Sequence, residues 1–327
     1  GPQIRRIQLP AAGPTHAWPV PSGVNDLEMK PDGTELAAAY GGGWSRWSWP
    51  EGKLLSEQAA SCVVRDLDWA PDATLVVALS TPDCLPGLTG GVLLHDGQIT
   101  VPHNPPFGAR RVAALGDDGV AFISYAASGP HTLRRSAGPA PAIAQPDGVP
   151  VSIENTPDAD VVVWSGPQGL WRYALGEAAP TPAWDESNLG PVAVDPTGAW
   201  AVVASDEAVH RIDLTARTPT WSTPTPSVSP RDAAISPDGR WTAIAARDGT
   251  ARVYDASDGR LRAVFRGHTE QVAAVSFGPH SRTLFTGGWD DIVRAWDVGL
   301  LDAEPEALLA EVADAWKLDL STSLQGR

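Results

Sequence analysis

Residues 267–297 read GHTEQVAAVSFGPHSRTLFTGGWDDIVRAWD. Two apolar runs in this stretch, residues 272–277 and 283–286, flank the turn Gly278-Pro279-His280-Ser281. A third run, residues 292–297, follows a second turn that carries Trp289-Asp290-Asp291 and closes on Trp296-Asp297. Short runs of β-branched and aromatic residues bounded by Gly and Pro are strand signals. Runs that are apolar almost throughout belong to strands covered on both faces. The stretch therefore reads as a compact antiparallel meander.

Working outward, the first turn of this unit has six forerunners: Lys30-Pro31-Asp32-Gly33, Ala70-Pro71-Asp72-Ala73, Gly116-Asp117-Asp118-Gly119, Thr156-Pro157-Asp158-Ala159, Asp195-Pro196-Thr197-Gly198 and Ser236-Pro237-Asp238-Gly239. Their second positions, with that of the last copy, are 31, 71, 117, 157, 196, 237 and 279, so the spacings are 40, 46, 40, 39, 41 and 42. The turn chemistry has a cause. Pro presets φ at the second position, Asp bonds its own backbone, and Gly takes the left-handed conformation. Each turn joins two apolar runs, a third run follows, as at residues 170–174, 209–214 and 251–255, and a fourth follows that, as at 53–58, 181–185, 220–223 and 261–266. Four antiparallel strands per unit of about 40–45 residues is the period of a propeller blade.

The last unit carries more than a period. Gly267-His268, an inner strand, Thr286, Asp290 and a closing Trp296-Asp297 stand in the order of a full WD repeat, and the chain resembles the WD-repeat β-propeller family. The sixth unit is similar but weaker, with Arg247-Asp248-Gly249-Thr250 and Arg252-Val253-Tyr254-Asp255. The resemblance implies an all-β fold: a seven-bladed β-propeller of four-stranded antiparallel blades. It also implies that Trp296, Thr286, His268 and Asp290 form a hydrogen-bonded chain within one blade, a structural tetrad rather than a catalytic triad. Ile244 stands where the sixth unit would need its hydroxyl, so only the seventh set is complete.

A ring must hide its edges. No outer strand follows Trp296-Asp297, whereas Thr15-His16-Ala17-Trp18-Pro19-Val20 resembles the outer strands at 181–185 and 220–223. Residues 15–20 are therefore expected to complete the last blade within a propeller spanning 15–300. Residues 1–14 read as a linker or tag remnant, beginning Gly1-Pro2. Residues 301–327 read as an amphipathic C-terminal helix and tail, with Leu301, Leu308, Leu309, Val312 and Trp316 at helical spacing. This ending resembles C-terminal WD-repeat domains of bacterial multidomain regulatory proteins.

Composition bounds the chemistry. The formal net charge of -15 opposes a polyanion across most of the surface, so nucleic acid is not expected. No apolar run reaches a membrane span, so no membrane partner is expected. Two cysteines, Cys62 and Cys84, do not make a disulfide framework, and reduced thiols in a cytoplasmic protein are the expectation. The seven histidines are scattered, none with metal-ligand spacing to a second His or Cys, and no phosphate-cradling loop is present. No catalytic residue, metal or cofactor is assigned.

Tryptophan carries the functional reading: there are 14, against 4 Tyr and 5 Phe. Trp69, Trp164 and Trp200 are expected in the core between blades. Trp289 falls in the turn before a third strand, on the Gly-His side, which is the top face. Trp44, Arg46, Arg247, Glu270 and Asp291 are assigned to that face with it. Trp, Arg and carboxylates together suit recognition of a protein or peptide. The expected function is a non-catalytic interaction or sensor module, with an effector domain of the same protein as one candidate partner. A propeller hydrolase or lactonase with a metal in the channel and a carbohydrate-binding ring are the competing readings.

Overall fold

The computed structural model describes residues 13–302 except for 71, 82–83, 86–91, 96–98, 101–108, 115–119, 125–132, 136–149, 157–160, 175–176, 178–179 and 226–227. Among these residues the chain forms seven antiparallel sheets, six of four strands and one of three. Their innermost strands are Val24–Met29, Val64–Trp69, Ala109–Ala114, Ser152–Asn155, Val192–Val194, Pro230–Ile235 and Val272–Phe277. Each packs against the next, and the seventh packs back on the first. The sheets are thus seven blades of a closed ring around an axial channel, numbered here in chain order.

The tight turns do what their residues dictate. Gly33, Gly198 and Gly239 take φ of 73°, 70° and 70°, and the Asp32 carboxylate accepts the Thr34 N–H at 2.9 Å. In five blades the inner strand carries a bulge at its start: Val24/Asp26, Val64/Asp66, Ala109/Arg111, Pro230/Asp232 and Val272/Ala274. A bulge re-aims the side chain that follows it. Asp26 thereby accepts the Leu67 N–H at 2.7 Å, Asp66 the Val112 N–H at 2.8 Å, and Asp232 the Val275 N–H at 2.9 Å. Carboxylates of one blade thus staple the backbone of the next.

Between blades the core is apolar. Trp69 packs with Trp44 and Ala39 between blades 1 and 2, Trp164 with Ala113 between blades 3 and 4, and Trp200 with Ile244 and Tyr254 between blades 5 and 6.

The ring closes through its N-terminal strand. His16–Pro19 pairs antiparallel with the third strand of blade 7, Ile292–Asp297, in the register His16↔Ala295 to Pro19↔Ile292. The Trp18 indole donates to the Gly52 carbonyl at 3.0 Å, in a turn of blade 1, where Gly52 sits at φ 66°. A Cβ at Gly52 would lie 2.8 Å from the Trp18 ring. Blade 5 repeats the device on blade 6: Trp221 donates to the Ala256 carbonyl at 2.9 Å and covers Gly259, at φ 71°.

One expectation is overturned. Cys62 and Cys84 are joined as a disulfide, and Cys84 is fully buried. The backbone brings them together, with the Ser61 N–H donating to the Cys84 carbonyl at 2.9 Å. The expected C-terminal helix lies outside the described residues, apart from a 3-10 turn at Gly299–Asp302. Most of residues 1–14 also lie outside them.

Candidate functional site

Blade 7 assembles the side chains that shape the top face. The Trp296 indole N–H donates to the Thr286 hydroxyl at 2.9 Å, and that oxygen lies 2.7 Å from His268 Nε2. His268 Nδ1 lies 2.7 Å from Asp290 Oδ1. One assignment of protons satisfies the contacts among these four residues, while Arg294 Nη1, itself a donor, also lies 2.6 Å from Nδ1. Thr286 accepts from Trp296 and donates to Nε2, and Nδ1 donates to Asp290, so the imidazole is neutral. Asp290 also accepts the Thr269 N–H at 3.2 Å, which pins the Gly-His loop.

Electrostatics favour the same state. Burial holds His268 below the usual histidine range, and the Arg294 guanidinium adds to this, against the opposing pull of Asp290. Burial pushes the Asp290 carboxyl up, but hydrogen bonds from His268, the Thr269 amide and Arg294 outweigh it and hold it below the ordinary value. Arg294, which donates to Asp290 Oδ2 at 2.9 Å, makes the tetrad a group of five. Arg294 is not among the residues expected from sequence, although its spacing of four from Asp290 is legible there. The row resembles Ser-His-Asp only on paper. Thr286 is fully buried and its oxygen is occupied by Trp296, so no substrate carbonyl reaches it.

This scaffold holds an exposed aromatic. Trp289, next to Asp290, is 49% exposed. Its N–H donates to the Gln271 carbonyl at 3.0 Å, and its ring lies against Gly23 of blade 1, where a Cβ would meet it at 3.2 Å. Asp291 beside it is exposed at φ 60°. Glu270 and Arg247 are also exposed, and the turn after Arg247 packs on the Glu270 backbone through Gly249. Trp289, Asp291, Glu270 and Arg247 therefore share one end of blades 6 and 7.

Two assigned residues do not belong there. Trp44 is fully buried, because it sits inside the strand Gly43–Ser48 opposite Ala39 and packs between blades 1 and 2. Arg46 is half-buried and donates to Glu35 at 2.5 Å, with its guanidinium over the Trp69 ring. Both were misplaced for one reason. The glycine turn ends at Gly43, so the strand begins earlier than the Trp spacing suggested.

A second feature of this end comes from residues far apart in sequence. Arg231 is exposed, and partial desolvation together with the charges of Arg111, Arg247 and Arg110 holds its guanidinium below its usual range. Arg231 and Arg247 are exposed at the same end of blade 6, where Pro230 pairs with Ala246, whereas Arg111 is committed to Asp66. Among the described residues no group of three His, Cys, Asp or Glu comes together to hold a metal.

The comparisons agree with this geometry. The family model for the WD domain, G-beta repeat, matches residues 219–255 and 259–297. The fold matches the crystal structure of the Myceliophteria thermophila Cps50 (Swd1) β-propeller domain with a TM-score of 0.72 at 14% identity, covering 88% of this chain and 99% of that one. The chain is a β-propeller that carries two WD repeats. Among similar proteins, a WD repeat-containing protein of Synechocystis sp. is 35% identical over 106 residues, 32% of this chain and 30% of that protein. Protein groucho of Drosophila melanogaster is 37% identical over 65 residues, 20% of this chain and 9% of that protein. Transducin-like enhancer protein 2 of Mus musculus is 30% identical over 106 residues, 32% of this chain and 14% of that protein. The chain spans less than a third of the curated relatives it matches. The two WD repeats matched by the family model end in blade 7, whose hydrogen-bonded row sets the loop that bears Trp289.

Proposed function

We propose that this WD-repeat propeller is a binding platform whose top face, at blades 6, 7 and 1, receives a protein or peptide. The observation that carries the proposal is Trp289. A large aromatic stands half in water on a loop that a five-residue hydrogen-bonded row and the Gly23 backbone hold still. A rigid, exposed Trp loses little entropy on being covered, which is the character of an interface anchor. Arg231 and Arg247, exposed at the same end of blade 6, give the partner a sign: an acidic segment that brings an apolar side chain to Trp289 and a carboxylate to these arginines. The ring supplies display rather than chemistry, and an effector domain of the same protein is one form the partner takes.

Affinity capture tests this, comparing the chain with a Trp289→Ala, Arg247→Ala double variant of unchanged melting temperature. The expected result is selective retention of one protein at low salt, weakened by added salt and lost in the variant. Retention unaltered in the variant would move the site off this face.

A further inference from the structure

The opposite end of the channel has a different character. The inner strands end there, and the residue two places before each tight turn is Glu28, Asp68, Ala114, Glu154, Ala193, Ala234 or Ser276 in blades 1 to 7. Acids therefore occupy three positions of this tier and small side chains the other four. The small side leaves space: a cavity of about 470 Å³ opens at this mouth, lined by Glu28, Glu154, Ala193, Ala234 and Ser276 and rimmed by the tight turns of blades 1, 6 and 7.

The acids in and above this tier differ in what they do. Asp26, Asp66 and Asp232 are committed to neighbouring backbone amides, and Asp66 also holds Arg111 at 2.5 Å. Asp68 accepts the Ala114 N–H at 2.6 Å and the Trp69 N–H at 2.7 Å. Glu28 and Glu154 are not committed in this way. Their carboxylates have no hydrogen bond or ion pair with any described residue, and both face the cavity. Lys30 at the rim does not serve them, since its ammonium is held by Asp32 at 2.9 Å and Glu35 at 3.3 Å. Both glutamates are half-buried and line the cavity. Burial accordingly pushes both carboxyls well above the usual range, and the nearby carboxylates, Asp68 and Asp232 among them, push them further. The staples explain four of these acids and leave two half-buried carboxylates without a partner among the described residues, at an open cavity. Two like charges brought to one partly desolvated wall gain most from a cation that faces both.

We propose that this cavity binds an organic cation, a guanidinium or primary ammonium group that enters through the lower mouth and is held between Glu28 and Glu154. Its apolar stem lies along Ala193 and Ala234. A planar guanidinium has five N–H donors, enough to serve carboxylates from two blades at once. A metal ion is a poorer occupant, because a hard cation needs six or more oxygens and no three candidate ligands converge among the described residues. The site is separate from the top face, and its chemistry is of the opposite sign.

Calorimetric titration of the purified chain tests the assignment, with agmatine, cadaverine, the capped peptide acetyl-Gly-Arg-Gly-amide and calcium as probes. One saturable site for agmatine or the peptide is expected, weakened about tenfold or more in Glu28→Gln, Glu154→Gln. A tighter peptide identifies a protein side chain as the source of the cation, and tighter agmatine or cadaverine a free amine. Should the double variant fail to fold, Ala234→Leu fills the cavity with the acids intact and is expected to abolish binding. No saturable organic cation, binding retained in both variants, or binding of calcium alone would each overturn the proposal.

Discussion

Thr286 is a small residue on which two larger ones depend. Its single oxygen receives the Trp296 indole and serves the His268 imidazole, all within buried blade 7. Thr286→Val keeps the shape and β-branching but leaves both partners unsatisfied, at a cost of about 1–3 kcal/mol for each orphaned group. Chemical denaturation should show that loss, and Thr286→Ser should recover most of it. Equal stability for valine and wild type would mean that the row carries no energy. The four members of this row were legible in the sequence because order and spacing identify them. Trp44 was not, since a tryptophan beside glycines looks the same whether it ends a turn or opens a strand. Only the pairing of Trp44 with Ala39 shows which.

At the scale of elements, the strand His16–Pro19 decides whether the ring is closed. It covers the edge of Ile292–Asp297 and sends Trp18 across to the Gly52 carbonyl of blade 1. Removing residues 1–21 exposes that edge and orphans that carbonyl, so a sharp fall in melting temperature is expected. Trp18→Ala alone should cost about 2–3 kcal/mol, from the lost ring contacts and one hydrogen bond. A truncated chain that melts unchanged would show that blade 7 is stable with three strands. This element was readable because an outer strand was missing at one end and a spare one stood at the other. The shared Trp-over-Gly contact at Trp18 and Trp221 explains why the two strands look alike. The disulfide was not readable, because nothing in the spacing of Cys62 and Cys84 reveals that a hairpin folds one onto the other.

For the whole molecule the axis dominates the response to pH. Burial raises Asp68 to about 7 and Asp232 to about 6, and holds Asp26, Glu28 and Glu154 well above the usual carboxylate range. In the unfolded chain these groups titrate near 4. Between those values the folded state binds more protons than the unfolded one, so stability is greatest near pH 4–5 and falls as pH rises through 6 and 7. Below pH 4 the opposite group takes over, since Asp32 is held at about 2 by its bonds to Thr34 and Lys30, and Asp290 is also held low. Scanning calorimetry should record a falling melting temperature from pH 5 to pH 8, with a shallower fall in Glu28→Gln, Glu154→Gln. A flat or rising profile would mean that the axial acids stay ionised. None of this was legible in advance. Glu28 and Glu154 each read as ordinary strand residues, and only the closed ring brings positions more than a hundred residues apart to one tier.

The pairing that shuts the ring also fixes how it would respond to force. Residue 15 and residue 297 leave blade 7 at the same end, because the clasping strand runs antiparallel to its neighbour. A pull between the two ends therefore meets their hydrogen bonds one after another, as a zipper does, and not all at once in shear. Under tension the ring is therefore expected to open first at blade 7, which a single-molecule pulling trace would record as an early, low-force event.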